Sequence, residues 1–171
     1  MTSNTIFIPD ANVFIEASRR YYAFDIAPPF WDALNANIRN QHIIIIDRIM
    51  SEIKKGKDEL ARWIENFETL CKSTTEDDVT GAYRDIMTWS YNQTQFKPEA
   101  KSEFANCADG WLIAYAKAKG LVVVTHESFN REIKKKIPIP NVCVAFNIQY
   151  LNTFDMLRKL GIKFSNYSQE R

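Results

Sequence analysis

Four acidic residues stand beside apolar segments of this sequence, where their side chains could act together: Asp10, Glu52, Asp109 and Glu127. Asp10 interrupts the apolar stretch IFIPDANVFIEA, where burying a carboxylate is costly unless it finds a partner. Two carboxylates about 4 Å apart repel by roughly 4 kcal/mol at an effective dielectric near 20, and a divalent cation removes that repulsion. Carboxylate oxygens without a histidine–cysteine arrangement favour Mg²⁺ or Mn²⁺ over Zn²⁺. The predicted chemistry is therefore binding of a hard divalent cation.

Each acid also has a simpler interpretation, which the sequence alone leaves open. Asp10 could bind its own backbone in a turn, and Glu52, which two lysines follow, could be a solvated helix position. Asp109 could form a helix cap together with Asn106, and Glu127 could begin a helix. Only the four acids taken together favour a functional site.

The elements that would position these acids are predicted from short apolar runs. Buried strands are predicted at residues 6–8, 43–46, 121–125 and 141–146. Asp10 follows the first strand and Glu127 follows the third, while Glu52 and Asp109 lie on helices next to the second and third strands. Ligands bind outside the carboxyl ends of parallel strands, so four acids from distant segments could meet at one edge of the sheet.

Helices are predicted between these strands, at residues 28–38, 47–56, 59–71, 76–91, 106–120 and 151–160. Asp47 is predicted to cap the second of these helices, and Gly120 to end the fifth. Residues 14–22 stay open between a helix and an irregular turn, and residues 92–102 are predicted to be a polar connector. Strands that alternate with helices predict an α/β fold with a parallel sheet, formed by a single domain over residues 1–171.

Composition limits the class of protein. The chain has 171 residues, 46% hydrophobic and 25% charged, with a net charge of +1, so contacts to nucleic acid would need local basic patches. The longest apolar run, residues 43–46, is too short to cross a bilayer, and the first residues lack the basic start of a signal peptide. Cys71, Cys107 and Cys143 form no C-x-x-C pair. They predict reduced packing thiols in a cytoplasmic protein without a membrane partner.

Several segments resemble a known family in chain order. The acidic motifs of PIN-domain ribonucleases are similar to I-P-D-A-N-V-F-I, E-I-K-K-G-K-D-E-L, A-D-G-W-L-I-A-Y-A and V-V-V-T-H-E. That family includes the VapC-type toxins of bacterial and archaeal toxin–antitoxin pairs. A PIN-like subfamily described only as a domain of unknown function is a closer match. It shares R-Y-Y-x-F-D-I at 20–26, K-I-x-I-P-N-V-C at 136–143 and M-L-x-x-L-G-I-K-F from residue 156.

The resemblance covers nearly the whole chain and implies both a fold and a site. The implied fold is a three-layer α/β/α sandwich with a central, mainly parallel sheet of four or five strands. The implied site binds Mg²⁺ or Mn²⁺ through Asp10, Glu52 and Asp109 as the core acids and Glu127 as the fourth. The residues implied to support these carboxylates by hydrogen bonds are Asn12 and Thr125. A divalent cation held there would lower the pKa of a water and stabilise the leaving oxygen in phosphodiester hydrolysis.

The sequence departs from the family pattern at two positions. The fourth acid is commonly an aspartate in the family, whereas here it is the longer Glu127. Gly110 stands where close relatives carry proline, which could loosen the start of the helix that bears Asp109. His126, beside the fourth acid, is interpreted as incidental.

Basic and aromatic residues flank the acidic motifs. Near the first motif, Arg19, Arg20, Tyr21 and Tyr22 combine cations with stacking rings, a combination suited to single-stranded RNA. The other basic residues are Lys54, Lys55 and Lys57 after Glu52, and Arg131, Lys134, Lys135 and Lys136 after Glu127. Each lysine taken alone is more simply a solvated charge, and the groups together predict phosphate binding.

The resemblance implies a metal-dependent endoribonuclease that hydrolyses single-stranded RNA, as a toxin neutralised by a small antitoxin protein. Two alternatives stay open: a DNA nuclease or RNA-processing nuclease without an antitoxin, and a catalytically idle PIN-like module that binds protein or RNA. A homodimer is a further expectation, because helices bearing Trp31, Trp63 and Trp89 could form a dimer face. Burial of these rings in the core is the favoured interpretation.

Overall fold

The sheet of this protein consists of short parallel strands, in a computed structural model that describes residues 4–164. The strands are β1 (Phe7–Pro9), β2 (Val122–Val124) and β3 (Tyr150–Leu151), in the order β1-β2-β3. In the register, Phe7 lies opposite Val122 and Pro9 opposite Val124. The predicted α/β fold with a parallel sheet is confirmed. Within residues 4–164 the sheet has three strands, so the expected four or five strands are not found.

Helices make up most of the described chain. In chain order they are α1 (Ala11–Glu16), α2 (Pro28–Arg39), α3 (Asp47–Lys54), α4 (Glu59–Glu65), α5 (Asp77–Asn92), α6 (Pro98–Asn106), α7 (Asp109–Lys119), α8 (Ile139–Ala145) and α9 (Thr153–Lys159). The segment left open by the sequence is helical, since α1 continues as a π-helical turn at Ala17–Tyr21. Gly120 ends α7 with a left-handed backbone, φ 68°, as predicted.

The second predicted strand, residues 43–46, is replaced by isolated pairings. Ile44 N–H donates to Phe7 O at 2.9 Å, so the segment runs beside β1 for one bridge, Phe7 with Ile43. Ile46 then bridges Lys72 instead of β1. The four isoleucines are buried as expected, but the prediction of a regular strand is wrong because the chain changes partner within three residues.

The predicted strand at residues 141–146 is also wrong, because these residues belong to α8. Pro140 lies in the first turn of that helix, where its missing N–H has no cost. Residues 137–143 are all buried, so burial alone does not distinguish a helix from a strand here. Valine and phenylalanine favour strands, and this preference outweighed the proline in the first turn.

Other element boundaries differ from the predictions. Strand β3, Tyr150–Leu151, overlaps the start of the helix predicted at 151–160. That helix instead begins at Thr153. Half of the predicted connector at 92–102 is helical, because Pro98 begins α6. The helix predicted at 59–71 ends at Glu65, and a 3₁₀ turn follows at Glu68–Leu70.

Asp47 was predicted to cap α3, but Ile46 is the cap residue and Asp47 is the first residue of the helix. The Asp47 carboxylate accepts hydrogen bonds from Thr74 N–H at 3.0 Å and from Thr74 Oγ1 at 2.9 Å. Asp47 therefore ties the segment before α5 to the start of α3.

The buried apolar side chains form one core. Trp31 is 4% exposed, and Trp63 and Trp89 are partly buried against the same core, so the favoured burial of these rings is confirmed. Cys143 is buried, Cys71 and Cys107 are half-buried, and all three are free thiols. Within residues 4–164, no helix has the length and apolar character needed to cross a membrane. A single domain over residues 1–171 stays a prediction.

Candidate metal centre

Asp10 lies at the carboxyl end of β1, where its carboxylate begins α1. Its Oδ1 accepts a hydrogen bond from Val13 N–H at 3.0 Å, and its Oδ2 accepts one from Thr125 Oγ1 at 2.7 Å. Burial raises the pKa of Asp10 to about 6, although the hydrogen bonds from Thr125 and Val13 lower it. Among the described residues, no lysine or arginine forms an ion pair with Asp10. The turn contact of the simpler interpretation is present, and it leaves a buried acid without a cation.

Asp109 is the first residue of α7, and its surroundings connect the four acids. Burial, together with the negative charges of Asp10, Glu127 and Glu52, raises the pKa of Asp109 to about 7, although Lys136 lowers it. The predicted cap by Asn106 is wrong, since Asn106 Nδ2 donates instead to Ser102 O at 2.8 Å. The fold therefore brings acids from four distant segments close enough for the other three to act on Asp109.

Glu52 lies on α3 and is half-buried. Burial raises the pKa of Glu52, and the positive charge of Lys55 opposes that shift. Glu52 lines a cleft of about 550 Å³ between α3 and the junction of α6 with α7. Arg48 and Trp111 also line this cleft. The environment of Glu52 is thus more enclosed than that of a solvated helix position.

Glu127 has partners for both of its carboxylate oxygens. Its Oε1 forms an ion pair with Lys136, and its Oε2 accepts a hydrogen bond from Ile139 N–H, the first residue of α8, at 2.8 Å. The side chain of Glu127 is 18% exposed. The simpler interpretation, that Glu127 begins a helix, is wrong because the next helix, α8, begins at Ile139. Glu127 instead accepts a hydrogen bond from the first residue of that helix, twelve positions further along the chain.

Of the two residues predicted to support the carboxylates by hydrogen bonds, Thr125 does so and Asn12 does not. Thr125 Oγ1 donates to Asp10 and accepts a hydrogen bond from Glu127 N–H at 3.1 Å, so it links two of the acids. The Asn12 side chain is exposed and makes no hydrogen bond to Asp10 within residues 4–164. His126 lies outside the cluster, where its Nε2 shares a hydrogen bond with Thr153 Oγ1 at 2.9 Å.

The donor set can be compared with the needs of a hard cation. Its ligands would be carboxylate oxygens, which suit Mg²⁺ or Mn²⁺, and the raised pKa values of Asp10 and Asp109 reflect acids whose charge is not neutralised. In the part of the chain that the structure describes, however, no three His, Cys, Asp or Glu side chains are placed to hold a metal ion. The chemistry of the donors fits, and the cluster is not preassembled.

The residues predicted to bind RNA lie on the surface. Arg20 forms an ion pair with Glu16 at 2.8 Å, and Lys54 forms one with Glu68. Tyr21 is 67% exposed. The other predicted contacts, Arg19, Lys55, Lys134 and Lys135, are exposed as well.

Sequence analysis missed Arg48 and Trp111, which line the same cleft as Glu52. One signal for Arg48 was available, since residues 48, 51, 52 and 55 have the spacing of a single helix face. Trp111 gave no comparable signal, because its position in the first turn of α7 is equally compatible with core packing.

Gly110 follows Asp109 in the first turn of α7, and the helix begins there despite the glycine. A Cβ atom added at Gly110 would lie 2.5 Å from Met87 Cε and 3.1 Å from Tyr83 Cε2. The missing side chain therefore lets the start of α7 approach α5 closely.

Comparisons with known proteins agree with this fold. A family model described as Domain of unknown function (DUF4411) matches residues 7–164. The chain is similar to one in the crystal structure of VapBC2 from Rickettsia felis bound to a DNA fragment from their promoter. The match has a TM-score of 0.54 and 14% sequence identity, and it covers 86% of this chain and 98% of that chain. At that identity the likeness shows the fold, and the resemblance to VapC-type PIN domains is confirmed at that level. Among curated proteins, none matches the sequence.

Proposed function

The chain belongs to the family described as Domain of unknown function (DUF4411), and we propose that it is a Mg²⁺- or Mn²⁺-dependent endoribonuclease acting on single-stranded RNA. The observation that carries this proposal is that Asp10 is 2% exposed, has no ion-pair partner within residues 4–164 and is joined to Glu127 through Thr125. The charges of Asp10, Glu127 and Glu52 also raise the pKa of Asp109, in addition to burial. A buried acid close to other acids is destabilising unless protons or a cation neutralise it. Protein nucleases use divalent cations held by acids for phosphodiester hydrolysis.

In this proposal Asp10 and Asp109 are the principal ligands of the cation, and Glu52 and Glu127 complete the acid cluster. When bound, the cation would supply Lewis-acid chemistry, lowering the pKa of a water and offsetting charge on the leaving oxygen. Val13 N–H and Thr125 Oγ1 orient the Asp10 carboxylate. Each carboxylate oxygen can accept more than one contact, so these bonds leave Asp10 able to ligate.

Glu127 would contribute only after a rearrangement, because Lys136 and Ile139 N–H hold its two oxygens. The positive charge of Lys136 lowers the pKa of Asp109, so Lys136 interacts with a second acid of the cluster besides Glu127. Loss of the ion pair with Lys136 would free Glu127 Oε1 to join the other acids. Lys136, which is 47% exposed, could then turn towards solvent or a phosphate.

We also propose that the protein is the toxin of a toxin–antitoxin pair, with a small antitoxin as its partner. The support is the resemblance to VapC-type toxins together with the shared fold of a VapBC2 chain. Expression of the chain alone should arrest growth, and co-expression of a short open reading frame adjacent to its gene should relieve the arrest. A homodimer and a cytoplasmic location stay predictions.

The test of the nuclease proposal is cleavage of single-stranded RNA in Mn²⁺ by the parent protein and by Asp10→Asn and Asp109→Asn. Cleavage by the parent and its loss in both variants is the expected result. Equal cleavage by all three proteins would identify a contaminating nuclease and remove the proposal. Cleavage of DNA in place of RNA would favour the alternative of a DNA nuclease.

A second candidate function is a catalytically idle module that binds RNA or protein. The observation in its favour is that Lys136 already neutralises Glu127 and that, within residues 4–164, no three-ligand group is formed. Binding of RNA without cleavage in either Mg²⁺ or Mn²⁺ would establish this alternative.

A further inference from the structure

The cleft lined by Glu52 contains a cation that the proposed chemistry does not use. Arg48 lies one helical turn before Glu52 on α3, and its side chain is exposed. Its guanidinium carbon lies 4.5 Å from the centroid of the Trp111 ring, which belongs to α7. The contact therefore joins the two sides of the cleft.

A ring contact and a hydrogen bond hold this guanidinium in place. The rings of Tyr83 and Trp111 lie 3.7 Å apart with an angle of 5° between their planes, so the indole that Arg48 contacts is itself packed against a tyrosine ring. Arg48 Nε donates to Thr74 Oγ1 at 3.3 Å, and that hydroxyl donates to Asp47 Oδ1 at 2.9 Å. The orientation of the guanidinium is thus fixed by the hydrogen bond of its Nε edge to Thr74 and by the contact of its face with the Trp111 ring.

The rest of the guanidinium is available to a ligand. Glu52, four residues further along the helix, could pair with Arg48, yet in the described part of the chain Arg48 forms no ion pair. Its Nη atoms likewise donate no hydrogen bond to any of residues 4–164. A fixed guanidinium with free Nη donors matches the geometry of a phosphate and loses little side-chain entropy on binding.

We propose that Arg48, supported by Trp111 and Tyr83, binds a phosphodiester group of single-stranded RNA beside the acid cluster. Arg48 would donate two hydrogen bonds from its Nη atoms to non-bridging phosphate oxygens. Lys55, which lines the same cleft two turns from Arg48, adds a second positive charge for the adjacent backbone. The inference rests on the proposed function for RNA as the ligand, and it names the residues that position the strand.

Arg39 offers a matched control within the same chain. Its guanidinium carbon lies 5.4 Å from the centroid of the Phe67 ring, and its Nε donates to Asn35 Oδ1 at 2.9 Å. Arg39 lines a separate cleft of about 480 Å³ to which none of the four acids contributes. Removing Arg39 therefore removes the same charge and the same kind of ring contact away from the candidate site.

The experiment measures binding of a fluorescein-labelled single-stranded oligouridylate to the full-length protein in EDTA, so that no cleavage occurs. Arg48→Gln should weaken binding about tenfold, since a hydrogen bond to a charged group contributes roughly 1.5 kcal/mol or more. The slope of log Kd against log salt should fall by about 0.7, the value for one lost phosphate contact on a single strand. Arg39→Gln should change neither quantity.

Two further variants separate the charge from its geometry. Arg48→Lys keeps the charge and loses the planar fork, so it should recover the salt slope and only part of the affinity. Trp111→Leu should weaken binding while the salt slope is unchanged, because the cation remains and its support is lost. Circular dichroism and the Tm of each variant show that the fold is intact.

Equal affinities and equal salt slopes for Arg48→Gln and Arg39→Gln would overturn the inference. If Arg48→Gln does not fold, a full affinity retained by Arg48→Lys and Trp111→Leu would overturn it as well. The outcome is separable from that of the proposed nuclease activity. If the parent binds RNA through Arg48 and cleaves none, the proposed binding role of Arg48 stands and the nuclease proposal fails. If the parent cleaves RNA and Arg48 is not needed for binding, only the nuclease proposal stands.

Discussion

Two acids follow neighbouring parallel strands in this protein, and they are partnered in opposite ways. Asp10, after β1, accepts neutral hydrogen bonds from Val13 N–H and Thr125 Oγ1 and has no cationic partner within residues 4–164. Glu127, after β2, accepts a backbone N–H and also pairs with Lys136. Thr125 contacts both residues, so position in the sheet does not explain the difference.

The difference shows which acids of the cluster lack a cationic partner in an ion pair. Asp10 is buried and Asp109 is half-buried, and neither forms an ion pair within residues 4–164. Burial raises their pKa values to about 6 and about 7, although Lys136 lowers the pKa of Asp109. Glu127 has a lysine that a divalent cation would have to displace. The two aspartates are therefore the expected centre of metal binding, and Glu127 is the expected periphery.

The largest effect is expected in the pH dependence of stability. The folded-state pKa values of Asp10 and Asp109 exceed the ordinary value of 3.8, so the folded protein holds extra protons between about pH 4 and pH 7. The free energy of unfolding should fall by several kcal/mol as pH rises through that range, because each tenfold difference in proton affinity between the folded and unfolded states contributes about 1.4 kcal/mol. Urea denaturation at pH 5 and pH 8 in EDTA measures this fall.

In the double variant Asp10→Asn/Asp109→Asn the decrease should be much smaller, whereas Glu127→Gln, which retains both aspartates, should keep most of it. A parent whose stability rises from pH 5 to pH 8 would contradict the assignment of uncompensated charge to the two aspartates.

Loss of RNA cleavage should be larger for the proposed central ligand Asp109 than for Glu127. Asp109→Asn should reduce RNA cleavage more than about 100-fold, because outer partners of a metal ligand alone are worth 10- to 100-fold and Asp109 is proposed as a ligand itself. Glu127→Gln should reduce cleavage only about tenfold, within that outer range. Single-turnover rates in Mn²⁺ measure both values, and a larger loss in Glu127→Gln would reverse the roles of the two regions.

Metal binding should stabilise the protein most where the aspartates are ionised. At pH 8 and Mg²⁺ at ten times its Kd, the free energy of unfolding should rise by about 1.4 kcal/mol. At pH 5 the gain should be smaller, since protons compete for Asp10 and Asp109. Thermal unfolding with and without Mg²⁺ measures the gain. Asp109→Asn should abolish it, and a gain unchanged in that variant would place the cation elsewhere.

The smallest effect on stability is expected from substitution of Thr125, which is hydrogen-bonded to both Asp10 and Glu127. Thr125→Val keeps the shape of the side chain and removes the donor to Asp10 and the acceptor of Glu127 N–H. Lost hydrogen bonds of this kind cost about 1 kcal/mol in stability. The pKa of Asp10, measured by NMR, should rise further because Thr125 lowers it in the parent. Ser in place of Thr125 is the matched control and should leave the pKa of Asp10 unchanged.

Local pattern and parallel topology made much of the fold and site predictable. A proline and an acid directly after an apolar run predicted the end of β1 at Pro9 and the position of Asp10. The parallel register then places Thr125 beside Asp10, because Pro9 lies opposite Val124. Gly120 and the apolar spacing of α7 gave its end in the same way.

The missed features depend on contacts that no local pattern contains. The pairing of Glu127 with Lys136 needs the path of the intervening loop, and the stack of Arg48 on Trp111 needs the packing of α3 near α7. The misassigned helix α8 is a different case. Its proline, in a position that suits the first turn of a helix, was present in the sequence, and the strand preference of valine outweighed it.

The order of strands in the sheet has a consequence for synthesis of the protein. β1 begins at residue 7, but β2, its neighbour in the sheet, is translated only at residues 122–124, and the Thr125–Asp10 hydrogen bond spans 115 positions. A nascent chain therefore carries Asp10 without Asp109 until residue 109 has been added, and without the hydrogen bond from Thr125 until residue 125 has been added. The acid cluster can form only after these later segments have left the ribosome.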